Sequence, residues 1–145
     1  MNILIDIGHP GHVHLLRNLY YELKQNGHSI SVTVKDIKIA KKLLEYYKIT
    51  YIDLGKKKDS LLGKAFSQIK YNYQILKIVL KEKIELGVGS SATLAQISKI
   101  TKMKSIIFDD DDDNVQPLFV KFGHPFCDTI LSPTALIGHR KNSSS

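Results

Sequence analysis

Three histidines, His9, His12 and His14, crowd one short stretch, Asp6-Ile7-Gly8-His9-Pro10-Gly11-His12-Val13-His14, with Gly8 just before them and Gly11 among them. Imidazole is the side chain best suited to exchanging a proton near neutral pH. A histidine at the start of a helix can therefore deprotonate a hydroxyl, or hold a phosphate or sugar oxygen. The alternative reading of the same residues is structural, with His12 bracing or capping the turn and His14 packing against the sheet. No carboxylate or cysteine sits beside the three to complete a metal set, so no metal is expected here.

A second turn, Gly87-Val88-Gly89-Ser90-Ser91, places two glycines and two hydroxyls ahead of a helix. Its backbone N–H groups suit an anion or a sugar hydroxyl, although a close sheet-to-helix turn would use the same residues. Asp109 to Asp113 form an unbroken acidic run. Five adjacent carboxylates cannot all be buried, and only Asp109 and Asp110, nearest the preceding strand, are placed to enter a cleft. An unspaced run is not a metal motif. Nor are Gly8 and Gly11 a dinucleotide fingerprint, since Pro10 lies between them and Val34-Lys35 stands where a ribose-binding acid would be. No Walker lysine follows the loop. No cofactor is expected.

The elements that must position these residues are read from hydrophobic period. Ile3, Leu4, Ile5 and Ile7 form a buried strand. Val13 to Asn26 reads as a helix through Leu16, Leu19, Tyr20 and Leu23, stopped by Gly27. A strand follows over His28 to Val34, then a helix capped by Asp36 with Ile37, Ala40, Leu43, Leu44 and Tyr47 on one side. Thr50 to Leu54 is a short strand. Beyond the basic linker Lys56 to Asp59, Ser60 caps a long helix to Lys83, whose stripe Leu62, Ala65, Phe66, Ile69, Tyr73, Leu76 and Leu80 reads as core packing. Leu61, Phe66 and Tyr71 beside the lysines give a weaker membrane-facing signal. Glu85 to Val88 is a strand, a helix ends near Ile100, and Ser105 to Phe108 is a strand. Residues 115–122 read as a short helix, Cys127 to Leu131 as a last strand, and 139–145 as a flexible tail. The alternation predicts an α/β three-layer sandwich with a mostly parallel sheet of five or six strands, opening near Gly8, Gly89 and Asp109 on one side.

At 145 residues, with 43% apolar and 24% charged, the chain fits one globular domain. The net charge is +7, but only Arg17 and Arg140 are arginine. Phosphate and base readout lean on arginine forks, so nucleic acid is not an expected partner. The lysines suit either plain solvation or an anionic membrane surface. A lone cysteine, Cys127, excludes an intrachain disulfide framework and fits a reducing compartment. Neither a signal peptide nor a membrane span is read, and the expected location is cytoplasmic, peripheral on the inner face of the membrane.

The first loop, Leu61-Leu62-Gly63-Lys64, Gly89-Ser90-Ser91-Ala92, Ile106-Ile107-Phe108-Asp109-Asp110, and Pro125-Phe126-Cys127-Asp128 through Ser132-Pro133 together resemble the N-terminal half of a DUF354-like prokaryotic family with the GT-B glycosyltransferase fold. More distantly the chain resembles the N-terminal domains of the MurG and UDP-N-acetylglucosamine 2-epimerase families. The likeness covers residues 1–138 and implies a Rossmann-like GT-B N-terminal domain.

That resemblance implies an acceptor-side domain of an enzyme that transfers a sugar from a nucleotide sugar to a glycan or lipid-linked acceptor. Gly11-His12-Val13 fits the glycine-rich turn and His-Val pair of MurG-like enzymes, which puts His12, or else His9, in the catalytic position. Gly8, Gly11, His14, Gly89, Ser90, Ser91, Asp109, Asp110 and Asn114 are then the expected acceptor and substrate contacts. The resemblance places donor binding in a C-terminal domain expected to lie outside these residues, on a partner subunit or a missing domain, and the chain alone is expected to be inactive. Pro10 and the length of the aspartate run depart from the family pattern. An epimerase-like domain and a non-catalytic structural α/β domain are the alternatives.

Overall fold

The first strand runs through the middle of the sheet, because its side chains are apolar on both faces. In the computed structural model, which describes residues 1–55, 60–108 and 128–131 and Leu61 by its backbone alone, the elements alternate as expected. They are β1 (Asn2–Ile7), α1 (Pro10–Gln25), β2 (Ser29–Val34), α2 (Lys38–Tyr46), β3 (Ile52–Asp53), α3 (Leu61–Glu82), β4 (Leu86–Gly89), α4 (Ala92–Ile100), β5 (Lys104–Phe108) and β6 (Thr129–Leu131). Among the described residues the sheet has the order β3-β2-β1-β4-β5-β6, and every pairing is parallel. Ile3, Ile5 and Ile7 pack on Val13, Leu16 and Tyr20 of α1 and on Ala40 and Leu44 of α2. Leu4 points the other way, into Tyr71, Ile75 and Val79 of α3 and Leu94, Ala95 and Ile97 of α4. The result is a three-layer α/β sandwich of GT-B-like Rossmann type.

Local chemistry moves three boundaries. α1 begins at Pro10 rather than Val13, because His9 is the N-cap and accepts from the Gly11 N–H. Proline, whose missing N–H costs nothing in the first turn, then fits directly after the cap. Asp36 does not cap α2: the cap residue is Ile37, with no side-chain bond. The Asp36 carboxylate instead takes the Lys41 ammonium, which also reaches Asp53 and ties α2 to β3. The hydrogen bond from Lys41 holds the Asp53 carboxyl below its usual range. β3 itself shrinks to two residues.

The long helix is capped by Ser60 as expected, its hydroxyl accepting from Gly63 at 3.0 Å, and it ends at Lys83 in left-handed conformation, φ 51°. Its orientation reverses the expected one. Ser67, Tyr71, Ile75 and Val79 face the core, and the stripe expected there leaves Leu62, Phe66, Ile69, Tyr73 and Leu80 in water. Both stripes are apolar, so period alone does not choose between them. Polar bonds do: Gln68 donates to Thr93 and Asn72 donates to Gln96, both at 2.8 Å, and Tyr71 Oη donates to the Gly55 carbonyl at 3.2 Å.

β6 is held by a reciprocal clamp. Ser105 donates its N–H to Asp128 at 2.9 Å and its hydroxyl lies 3.2 Å from the same oxygen, while the Asp128 N–H donates to Ser105 Oγ at 3.1 Å. Burial alone would raise the Asp128 carboxyl, but these bonds and the Lys104 charge hold it below its ordinary value. A carboxyl lowered in the folded state stabilises above its unfolded pKa, and that contribution is lost as pH falls through the lowered folded value. Asp128→Ala should therefore cost about 1 kcal/mol near neutral pH. In urea titrations repeated downward from about pH 6, the variant should lose less stability below about pH 4 than the parent. Parallel acid limbs would show that the clamp contributes nothing.

Candidate functional site

The sheet order reverses between β1 and β4: the chain adds β2 and β3 on one side of β1, then returns to lay β4 on the other. In parallel sheets the crevice beyond the C-terminal ends of two such strands is where ligands bind, because the connections leave in opposite directions and open a gap. Here β1 runs through Gly8 into α1 and β4 runs through Ser90 into α4. The register that pairs Asp6 with Gly89 sets those two turns side by side.

At this edge two of the expected residues meet. His12, on the first turn of α1 and half-buried, has its imidazole against the Ser90 hydroxyl, with Oγ 3.1 Å from Nδ1 and 3.3 Å from Nε2. A hydroxyl both donates and accepts, so Ser90 can serve either neutral tautomer of His12. His9 stands edge-on to His12, ring centroids 5.8 Å apart. Its Nδ1 is already occupied, accepting from the Gly11 N–H at 3.1 Å. The N-terminal turns of α1 and α4 lie on either side, and the positive ends of the two helix dipoles favour negative charge in the gap, although in α1 Pro10 has no N–H and the Gly11 and His12 N–H groups are bonded to His9.

The other expected residues divide by place. Gly89 is fixed by space: a Cβ there would lie 2.7 Å from the Asp6 carbonyl oxygen and 3.0 Å from Leu94 Cδ1. Gly8 is not, since a Cβ would meet Ser90 Oγ at 3.7 Å, an ordinary contact. At Gly11 a Cβ would press on His9 Nδ1 at 3.3 Å. Ser91 is buried and caps α4, accepting from the Leu94 N–H at 3.4 Å. His14 does not join the cluster; it turns to α2, with Nδ1 3.3 Å from Tyr47 Oη, which also accepts from Arg17 at 2.6 Å. Asp109, Asp110 and Asn114 lie outside the described residues, as do the expected helix at 115–122, Cys127 and the tail at 139–145. Among the described residues no group of three or more His, Cys, Asp or Glu side chains is arranged to hold a metal ion.

One residue beneath the site was not singled out by sequence reasoning. Asp6 is 1% exposed; its Oδ1 accepts from Thr33 Oγ1 at 2.7 Å, and its Oδ2 is buried with no hydrogen-bond partner among the described residues. The signal was present as a charge inside an otherwise apolar strand. Its burial makes it a support under the Gly8 and Gly89 turns rather than a ligand contact.

Residues 1–141 match the sequence model of the family described as "Protein of unknown function (DUF354)". Among solved structures the chain is similar to MurG of Acinetobacter baumannii, at TM-score 0.75 and 11% identity over 99% of this chain and 44% of that one. It is also similar to UDP-GlcNAc 2-epimerase from Methanocaldococcus jannaschii, at TM-score 0.71 and 15% identity over 94% of this chain and 40% of that one. The Neisseria meningitidis UDP-GlcNAc 2-epimerase bound to UDP-GlcNAc gives TM-score 0.65 and 12% identity over 87% and 37% of the two chains. At these identities the likeness is one of fold, and the chain spans less than half the length of each of these structures. No curated protein matches the sequence.

The contacts at the two turns predict unequal costs for the same added methyl. Gly89→Ala should destabilise by about 3 kcal/mol, because a main-chain oxygen cannot move aside as a side chain can. Gly8→Ala should cost about 1 kcal/mol or less. Chemical denaturation of both variants checks this, and equal losses would contradict the close approach of β4 to Asp6.

Proposed function

We propose that this chain, which belongs to the DUF354 family, is the acceptor-side half of a glycosyltransferase-type enzyme that moves a sugar from a nucleotide-sugar donor to a hydroxyl on a glycan or lipid-linked acceptor. The observation that carries the reading is the His12–Ser90 hydrogen bond at the edge where the strand order reverses. A proton-exchanging imidazole, held by a hydroxyl and flanked by two helix N-termini, is what deprotonating an alcohol beside a phosphorylated donor requires.

In this mechanism the acceptor hydroxyl loses its proton to a ring nitrogen of His12 as its oxygen attacks the anomeric carbon. A new carbon–oxygen bond forms there while the bond to the nucleoside diphosphate breaks, and the diphosphate departs with that electron pair. Ser90 orients the ring, and its hydroxyl can donate to or accept from either nitrogen as the proton moves. His9 is the poorer base because one of its nitrogens already closes the cap of α1. The donor is gripped by a second domain, on a partner subunit or on a further part of the protein. An epimerase-like reaction with a pair of carboxylates is less well supported at this edge, since the described carboxylate nearest the turns, Asp6, is sealed from solvent.

Isothermal titration of UDP-N-acetylglucosamine and UDP into the purified chain, alone and with the product of the adjacent reading frame, tests the division of labour. Binding is expected only in the mixture; tight binding to the lone chain would overturn the donor assignment. In the reconstituted enzyme His12→Ala should lower kcat by about 10²- to 10⁴-fold with little change in acceptor KM. His9→Ala should act mainly through stability. Full turnover by His12→Ala would remove the histidine from the mechanism.

A further inference from the structure

The apolar stripe that α3 leaves in water is long, narrow and without acid. Leu62, Phe66, Ile69, Tyr73 and Leu80 are each between 64% and 77% exposed. At 3.6 residues per turn they fall in a band about 60° wide, running some 27 Å along the helix. Scattered exposed leucines are ordinary, but a continuous row of large side chains on one helix is not. On the flank away from α4 the row is bordered by Lys70, Lys77 and Lys81, all exposed, with Lys64 exposed in the first turn. The helix carries a single acid, Glu82, in its last position, and that carboxylate accepts from Ser31.

We infer that this face docks on an anionic membrane surface. An apolar row edged by lysines matches the two layers of such a surface, with Phe66 and Leu62 entering the acyl boundary, Tyr73 keeping its hydroxyl at headgroup level, and ammonium groups meeting lipid phosphates. A second copy is a poorer occupant, because apposed stripes would bring two sets of lysines together with no carboxylate between them. No described helix is long and apolar enough to cross a membrane, so α3 lies in the interface plane. The inference stands on the α3 surface alone and does not depend on the reaction at His12.

Cosedimentation with large unilamellar vesicles tests it, comparing phosphatidylcholine alone with phosphatidylcholine containing about 30 mol% phosphatidylglycerol, at low and at physiological salt. The protein should bind the anionic vesicles, bind neutral ones at least tenfold more weakly, and lose affinity as salt rises. The triple variant Lys70→Gln, Lys77→Gln, Lys81→Gln should bind anionic vesicles about 100-fold more weakly. Phe66→Ser with Tyr73→Ser should bind them at least tenfold more weakly. Both variants alter exposed positions and should keep the parent's circular dichroism melt. Equal binding to neutral and anionic vesicles, no binding at low salt, or folded variants that bind like the parent would each overturn the inference. So would a lipid-free dimer abolished by Phe66→Ser, which would assign the face to a second copy.

Discussion

Nothing larger than a hydrogen fits between Gly89 and the main chain of Asp6. That close approach, in the parallel pairing of β1 with β4, sets the rest of the candidate site. With the strands drawn together at their C-terminal ends, α1 and α4 start beside each other and Ser90 comes within a hydrogen bond of His12, 78 positions earlier in the chain. Asp6 shows what the arrangement costs. A carboxylate enclosed with only one oxygen bonded loses hydration without full compensation, and the Thr33 hydroxyl recovers part of it. Two turns poised against each other across a reversal of strand order are thus supported by a buried, half-satisfied carboxyl in an otherwise apolar strand.

The layer order was legible in the sequence because the period of its apolar residues switches cleanly between strand and helix, and β1 announces its central place by being apolar at successive positions. What period could not supply was rotation. α3 carries apolar residues at Tyr71, Ile75 and Val79 and again at Phe66, Ile69 and Tyr73, and each set alone makes a plausible core stripe. The selection is made by residues a hydropathy pattern counts as neutral, Gln68 and Asn72, which find Thr93 and Gln96 only if the first set turns inward. The same blindness misplaced Asp36, read as a cap from its position but drawn instead to Lys41.

The candidate site was legible to a similar depth. The two glycine turns and the histidine cluster are where sequence placed them, on the edge implied by alternating strands and helices. The division of roles among the histidines needed the true start of α1. With His9 outside the helix as its cap and Pro10 inside it, His12 and His14 sit two residues apart on a helix and so point in different directions. One meets Ser90 and the other Tyr47. Had α1 begun at Val13, as hydrophobic period alone gives, His12 would have belonged to the loop and no such separation would follow.

The two proposals share one geometric consequence. α3 follows β3, so like α1 and α4 it starts at the C-terminal edge of the sheet, and its Gln68 reaches Thr93 in the first turn of α4. The exposed row therefore begins, at Leu62 and Phe66, near the same edge as His12 and Ser90 and runs away from it toward Leu80. A bilayer lying along that row would pass beside the mouth of the crevice instead of across it, leaving the gap between β1 and β4 open to a water-soluble donor. An acceptor carried on a lipid would arrive along the same plane, with only its headgroup needing to leave the interface to approach His12. Free diffusion of the acceptor would then be confined to the plane that already holds the enzyme, and the energy of docking α3 would serve encounter without altering the chemistry at the histidine.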